Sequence, residues 1–201
     1  MKMERFEVGS AAILLAALIY FIADLDKILA LLVPVFVHEL GHILMLRFLG
    51  LRISGFRVEL KGFCISYCGC TGAVGHALAA AAGPMFGLIY AMAASVLASR
   101  LGCSWLELSA GISLILSFFN LLPALPLDGG RMLYALACPF MREPAAGKLV
   151  KISGLAVGIA LLALGTYLMF NGYGLAMELA AIWLLAYTGT DREGQKCREI
   201  I

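Results

Sequence analysis

Charge is scarce in this chain. Lysine, arginine, aspartate and glutamate together make up 14% of its 201 residues, against 62% hydrophobic residues; the mean hydropathy is +0.95. A soluble domain carries about 25% charged and about 45–50% apolar residues, so this shortage excludes an ordinary soluble domain and indicates a polytopic membrane protein. A net charge of only +2 gives no basis for binding nucleic acid. There is no linker and no polar stretch long enough to fold as a separate domain. No small-x-small cleavage site precedes Asp24, so the apolar run at 9–23 reads as a retained anchor and not as a signal peptide. Six cysteines are present, yet a disulfide framework belongs to small secreted domains. Cys64-x-x-x-Cys68-x-Cys70 could bind a metal or act as a redox sensor, but it lacks the paired CxxC spacing of a structural zinc site. Ordinary buried thiols are the simpler reading.

What is abundant is apolar sequence in spans of membrane length. Windows of roughly 20 apolar residues predict helices near 9–23, 28–49, 73–99, 104–122, 149–170 and 175–190. With six helices and the N-terminus inside, thirteen of the fifteen basic residues fall on the cytoplasmic side, leaving Lys27 and Arg100 outside. That asymmetry puts both termini in the cytoplasm. The segment 73–99 is rich in alanine and glycine, which lets helices approach closely in lipid, and Pro84 should kink it. Between 51 and 70, Leu51, Ile53, Phe56, Val58, Leu60, Phe63 and Ile65 come largely at alternating positions, with turn signals at Ser54-Gly55 and Lys61-Gly62. This predicts two or three short strands on the cytoplasmic membrane surface, with an amphipathic surface loop as the plainer alternative. A free strand edge there could receive an extended substrate as one more strand.

Histidine occurs three times and aspartate four times, so few residues can carry metal chemistry. Two of the histidines lie in His38-Glu39-Leu40-Gly41-His42. Four residues apart on a helix, His38 and His42 are offset by about 40° and about 6 Å, so both imidazoles can reach one ion. Glu39 follows the first histidine directly, where a carboxylate can serve as base towards water at the metal. Ionisable groups in hydrocarbon are expensive and usually functional, which counts against two merely satisfied core histidines beside a buried acid.

A catalytic zinc site needs a third protein ligand and leaves its fourth position to water. His76 is one candidate, although an interfacial or hydrogen-bonding role suits it better. A better candidate lies in Asn120-Leu121-Leu122-Pro123-Ala124-Leu125-Pro126-Leu127-Asp128-Gly129-Gly130-Arg131. Asp24, Asp26 and Asp191 sit in polar ends or loops; Asp128 alone is set in a structured apolar context. Pro123 and Pro126 break a regular helix and Gly129-Gly130 permits a tight turn. Such a broken helix is tolerated at membrane depth where it is buried in protein or lines a wet cavity. The bland reading is a turn with a capping aspartate. Helices 28–49 and 104–122 both run from outside to inside, so His38, His42 and Asp128 would arrive at similar depth near the cytoplasmic face.

HELGH, Gly83-Pro84 and NLLPALPLDGGR, in that order, resemble the site-2 protease family (peptidase M50) of intramembrane zinc metalloproteases. The resemblance covers roughly residues 28–140, and the short six-helix form is similar to stage IV sporulation protein FB and its relatives. It implies one zinc ion held by His38, His42 and Asp128, with Glu39 as general base and Asn120 orienting the substrate carbonyl or stabilising the oxyanion. It also implies regulated intramembrane proteolysis of a membrane-associated regulatory protein, such as a sigma-factor precursor in sporulation. Membrane-protein inhibitors or regulators would be further partners, and the setting would be a bacterial cell membrane with the active site near its cytoplasmic side. Gly87 departs from the family, which often has asparagine three residues after the glycine-proline pair. The PDZ and CBS domains of many relatives are not found in 1–201. The expected fold is therefore an all-α polytopic membrane protein in a single domain. About six transmembrane helices, a small membrane-surface β element and a broken helix at the active site complete it. A metal-ion transporter or an inactive membrane scaffold are the rival readings; the first has no use for a base beside a ligand, and the full ligand set argues against the second.

Overall fold

The computed structural model describes residues 5–8, 24–59, 62–68, 71–172 and 175–188. Its elements follow in the order β1 (Arg5–Val8), α1 (Leu25–Phe48), β2 (Arg52–Glu59), β3 (Gly62–Cys68), α2 (Ala73–Leu101), α3 (Ser104–Asn120), α4 (Asp128–Ala137), α5 (Glu143–Phe170) and α6 (Ala176–Thr188). The predicted helix at 9–23 lies outside the described residues.

Among the described residues three helices, α1, α2 and α5, are long and apolar enough to cross a membrane. The expected count of six is therefore not reached. The reason is length: α3 has 17 residues and α6 has 13, so at 1.5 Å per residue they extend about 25 and about 20 Å, against a hydrocarbon core of about 30 Å. The long helices are apolar on the outside. Phe36, Met92 and Ile152 are about 70% exposed, while most buried positions go to alanine and glycine. Large side chains outside and small ones inside are the pattern of helices packed in lipid.

The helix ends are written locally. After α1, Gly50 takes φ +74°. Its N–H donates to the Arg47 carbonyl, and the Leu51 N–H donates to that of Leu46. This pair of bonds is a Schellman stop, and only glycine accepts that φ without strain. Gly102 ends α2 similarly, at φ +62° with Cys103 N–H donating to the Ala98 carbonyl. Helix α5 begins at Glu143, six residues before the predicted 149, because Pro144 stands in its first turn. Proline has no N–H to lose there and its φ already suits a helix. A hydropathy window overlooks such a polar first turn.

The chain divides into two compact units, one chiefly Met1–Thr71 with Ala82–Phe118, the other chiefly Gly72–Ala81 with Phe119–Glu199. In the first unit β1, β2 and β3 form one sheet in that order, parallel between β1 and β2 and antiparallel between β2 and β3, with an irregularity at Ile53/Gly55. Helices α1 and α2 meet closely there: a Cβ at Gly41 would lie 2.7 Å from the Ala82 carbonyl oxygen. Helices α2 and α3 pack through Ala94, Ala98, Leu106 and Ala110. A serine seam continues along α3, where Ser109, Ser113 and Ser117 are fully buried. Ser109 bonds Tyr90 Oη at 2.8 Å, and Ser113 Oγ donates to the Gly87 carbonyl at 2.8 Å.

In the second unit α5 and α6 run antiparallel across a glycine stripe. Gly154, Gly158 and Gly165 face Thr188, Leu185 and Glu178 in turn, each so closely that a Cβ would press on its neighbour. Ala124, Leu127 and Leu184 form the core beside them, with Phe119, Leu122, Val157 and Leu161 packed around it. The segment between α3 and α4 is thus seated on the α5–α6 pair.

Candidate metal centre

The second half of α1 carries His38, Glu39 and His42. His38 is 5% exposed, and Glu39 and His42 are half-buried. The two imidazoles meet edge to face, with ring centroids 5.0 Å apart and planes at 79°, and their Nε2 atoms are 3.3 Å apart. A tetrahedral centre with Zn–N bonds of about 2.0–2.1 Å holds its ligand atoms about 3.3–3.4 Å apart. The rings are therefore placed for one ion, although a hydrogen bond between them would need a similar separation. The backbone around them is cut to size. A Cβ on Gly83 would collide with the His42 ring, and one on Gly87 would collide with Ser117 Oγ.

In the second unit Asp128 is the first residue of α4, after a Leu127 in extended conformation (φ −68°, ψ 158°). The helix is broken as the prolines required: α3 stops at Asn120, and 121–127 is a chain of turns in which Ala124 N–H donates to the Leu122 carbonyl and Leu127 N–H to that of Ala124. Gly129 and Gly130 play a different part from the one expected. Neither has a positive φ, so no unusual turn conformation is needed from them. What they supply is room. A Cβ on Gly129 would strike the Leu121 carbonyl, and one on Gly130 would lie about 2.5 Å from the backbone of Ala124 and Leu125. From α5, Ser153 Oγ donates to the Pro123 carbonyl at 2.6 Å and ties the turns to that helix.

His38, His42 and Asp128 form a group that could hold a metal ion: one ligand atom from each lies within 4.8 Å of the others. Two imidazole nitrogens and one carboxylate oxygen are a donor set of catalytic zinc sites, which leave a position for water. His76 is not in this group; it stands half-buried in the first turn of α2. Asn120, half-buried, closes α3. Cys103 and Cys138 are free, half-buried thiols; Cys64 and Cys68 fall on β3, while Cys70 and Cys197 lie outside the described residues. Two features at the site were not read from sequence. One is Ser153, whose only signal was a lone hydroxyl in an apolar run. The other is Arg131, whose Nη1 lies 3.6 Å from Asp128 Oδ1.

Residues 103–165 match the family model described as peptidase family M50. The resemblance to the site-2 protease family is confirmed. The M50 match takes in Asn120, Asp128 and Arg131, while the HELGH segment precedes it. A candidate zinc metalloprotease of Synechocystis sp. is 28% identical over 82% of this chain; the chain spans 44% of that relative's length. The site-2 protease of Methanocaldococcus jannaschii has the same fold, with a TM-score of 0.68 at 20% identity, over 94% of this chain and 91% of that one.

Proposed function

We propose that this chain is an intramembrane zinc metalloprotease that hydrolyses peptide bonds of membrane-associated regulatory proteins. The observation that carries the reading is the grouping of two imidazoles and one carboxylate, with a second carboxylate, Glu39, directly beside the first ligand. His38, His42 and Asp128 hold one zinc ion. When bound, zinc supplies Lewis acidity, acidifying water and polarising a carbonyl. Glu39 accepts the proton of the attacking water and delivers it to the leaving amine, so one residue serves as base and then as acid. The Asn120 amide donates a hydrogen bond to the oxygen on which charge develops. The substrate segment unwinds locally, since a helix keeps its carbonyls in hydrogen bonds.

The chain is read as one multi-pass domain in a bacterial cell membrane, with α3, α6 and the segment at 9–23 also within the bilayer. The charge asymmetry favours an active site near the cytoplasmic side, with the β element on that membrane surface. There the outer edge of β3 can pair with an extended substrate. The likeness to short sporulation proteases favours a membrane-bound sigma-factor precursor as substrate, and membrane-protein inhibitors or regulators as further partners.

The deciding experiment is co-expression of the wild type and Glu39→Gln with candidate substrates, followed by zinc analysis of the purified proteins. The expected result is a zinc-dependent fragment with the wild type alone and stoichiometric zinc in both. Undiminished cleavage by the zinc-loaded variant overturns the assignment of the base. A wild type without stoichiometric zinc revives the scaffold reading.

A further inference from the structure

Arg131 is the third residue after Asp128, on the same first turn of α4. We infer that Arg131 is a positioning residue for Asp128, holding one carboxylate oxygen so that the group presents the other to the metal; this rests on the reading of Asp128 as a zinc ligand. The pair has Nη1 3.6 Å from Oδ1, and its two members differ in burial, with the carboxylate side chain 8% exposed and the arginine 40%. A carboxylate taken that far from water needs a countercharge, and the guanidinium supplies it from the side facing solvent. Arginine is suited to this because its planar fork engages a carboxylate directionally, whereas an ammonium acts as a point charge.

The backbone makes the pairing a fixed one. The Leu127 carbonyl accepts from both Gly130 N–H (3.1 Å) and Arg131 N–H (3.2 Å), which sets residues 128 and 131 on one turn. Gly129 and Gly130, lying between them, are pressed against the backbone of 121–125, so that turn cannot rotate. Leu127 provides no side-chain cap. Arg131 is thus placed on the turn that carries the carboxylate, close enough to help orient it. Metal ligands are commonly oriented by such an outer partner, and losing it typically costs about 10–100-fold in metal affinity. An ion pair serving only the helix would leave metal affinity untouched, and this separates the two roles.

The test is zinc affinity, by chelator competition on the full chain in detergent, for the wild type, Arg131→Gln and Arg131→Lys, and for Arg131→Gln in an Asp128→Asn background. Thermal unfolding of each metal-free protein serves as the folding control. Arg131→Gln should bind zinc about 10–100-fold more weakly, with Arg131→Lys recovering part of the loss. In the Asp128→Asn background the same change should cost less than about threefold, because its partner is already gone. Wild-type affinity in Arg131→Gln, or an equal loss in both backgrounds, overturns the inference while leaving the metal site intact. A wild type that takes up no zinc, or an Asp128→Asn protein with unchanged affinity, overturns the metal reading and this inference with it.

Discussion

The backbone of Gly83 lies against the imidazole of His42 so closely that a β-carbon at position 83 would overlap the ring. One glycine on α2 thereby decides where a histidine on α1 can stand. Gly83→Ala separates stability from function. Alanine gains about 1 kcal/mol of helix propensity over glycine, while overpacking costs about 1–3 kcal/mol, so net stability should fall by 2 kcal/mol or less on this ~order-of-magnitude reckoning. Displacing the ring by about 1 Å should cost about 10²-fold in activity. Thermal unfolding and substrate cleavage, measured on one preparation, check both halves.

Gly129→Ala and Gly147→Ala should have opposite signs. At Gly129 the new methyl meets backbone carbonyls, which cannot step aside; at Gly147, in the first turns of α5, it meets nothing within 4 Å. The first change should destabilise by about 1–3 kcal/mol and the second should stabilise by up to about 1 kcal/mol. Equilibrium unfolding in mild detergent checks the pair.

Asn120→Ala should retain zinc and lose turnover. Removal of one oxyanion donor commonly lowers kcat by about 10²–10³. Loss of zinc from this variant would instead assign the asparagine a structural part in ending α3.

In the first turn of α1, Lys27 Nζ donates to Oδ2 of the preceding Asp24 at 2.7 Å. First that hydrogen bond, then the lysine charge, holds the Asp24 carboxyl below its ordinary value. A depressed acid stabilises the fold above its unfolded pKa, about 3.9, and that contribution is lost as pH falls through the lower folded value. Carboxyl NMR titration should show Asp24 titrating below 3.9 on this ~unit scale and returning upward in Lys27→Met. The pair is fully exposed, so overall stability should scarcely change.

Much of the site was legible because it depends on short-range rules. Histidines four apart on an apolar helix share a face whatever surrounds them, and two prolines followed by Asp-Gly-Gly break a helix whatever it packs on. The boundaries of α1 and α2 were readable too, since apolar length is itself the signal. The roles of Gly83, Gly129 and Gly130 were not, because a missing β-carbon has meaning only once the opposing backbone is known. Arg131 was hidden for a related reason: its charge was counted towards membrane topology, and its pairing appears only when α4 is seen to start at Asp128. The short helices misled in the other direction, since hydropathy shows that a segment is apolar but gives poor control over where it ends.

The turns before Asp128 are pinned by Ser153 and by the Ala124, Leu127 and Leu184 core. The segment that carries the aspartate is consequently held by protein packing, and under the proposed function zinc would be a passenger on it, where in a zinc finger it is the keystone. Stripping the protein with a chelator should silence it without melting its helices, and adding zinc back should restore it without a refolding step. Under the proposed function, a protein built this way would be stored empty and switched on by metal supply.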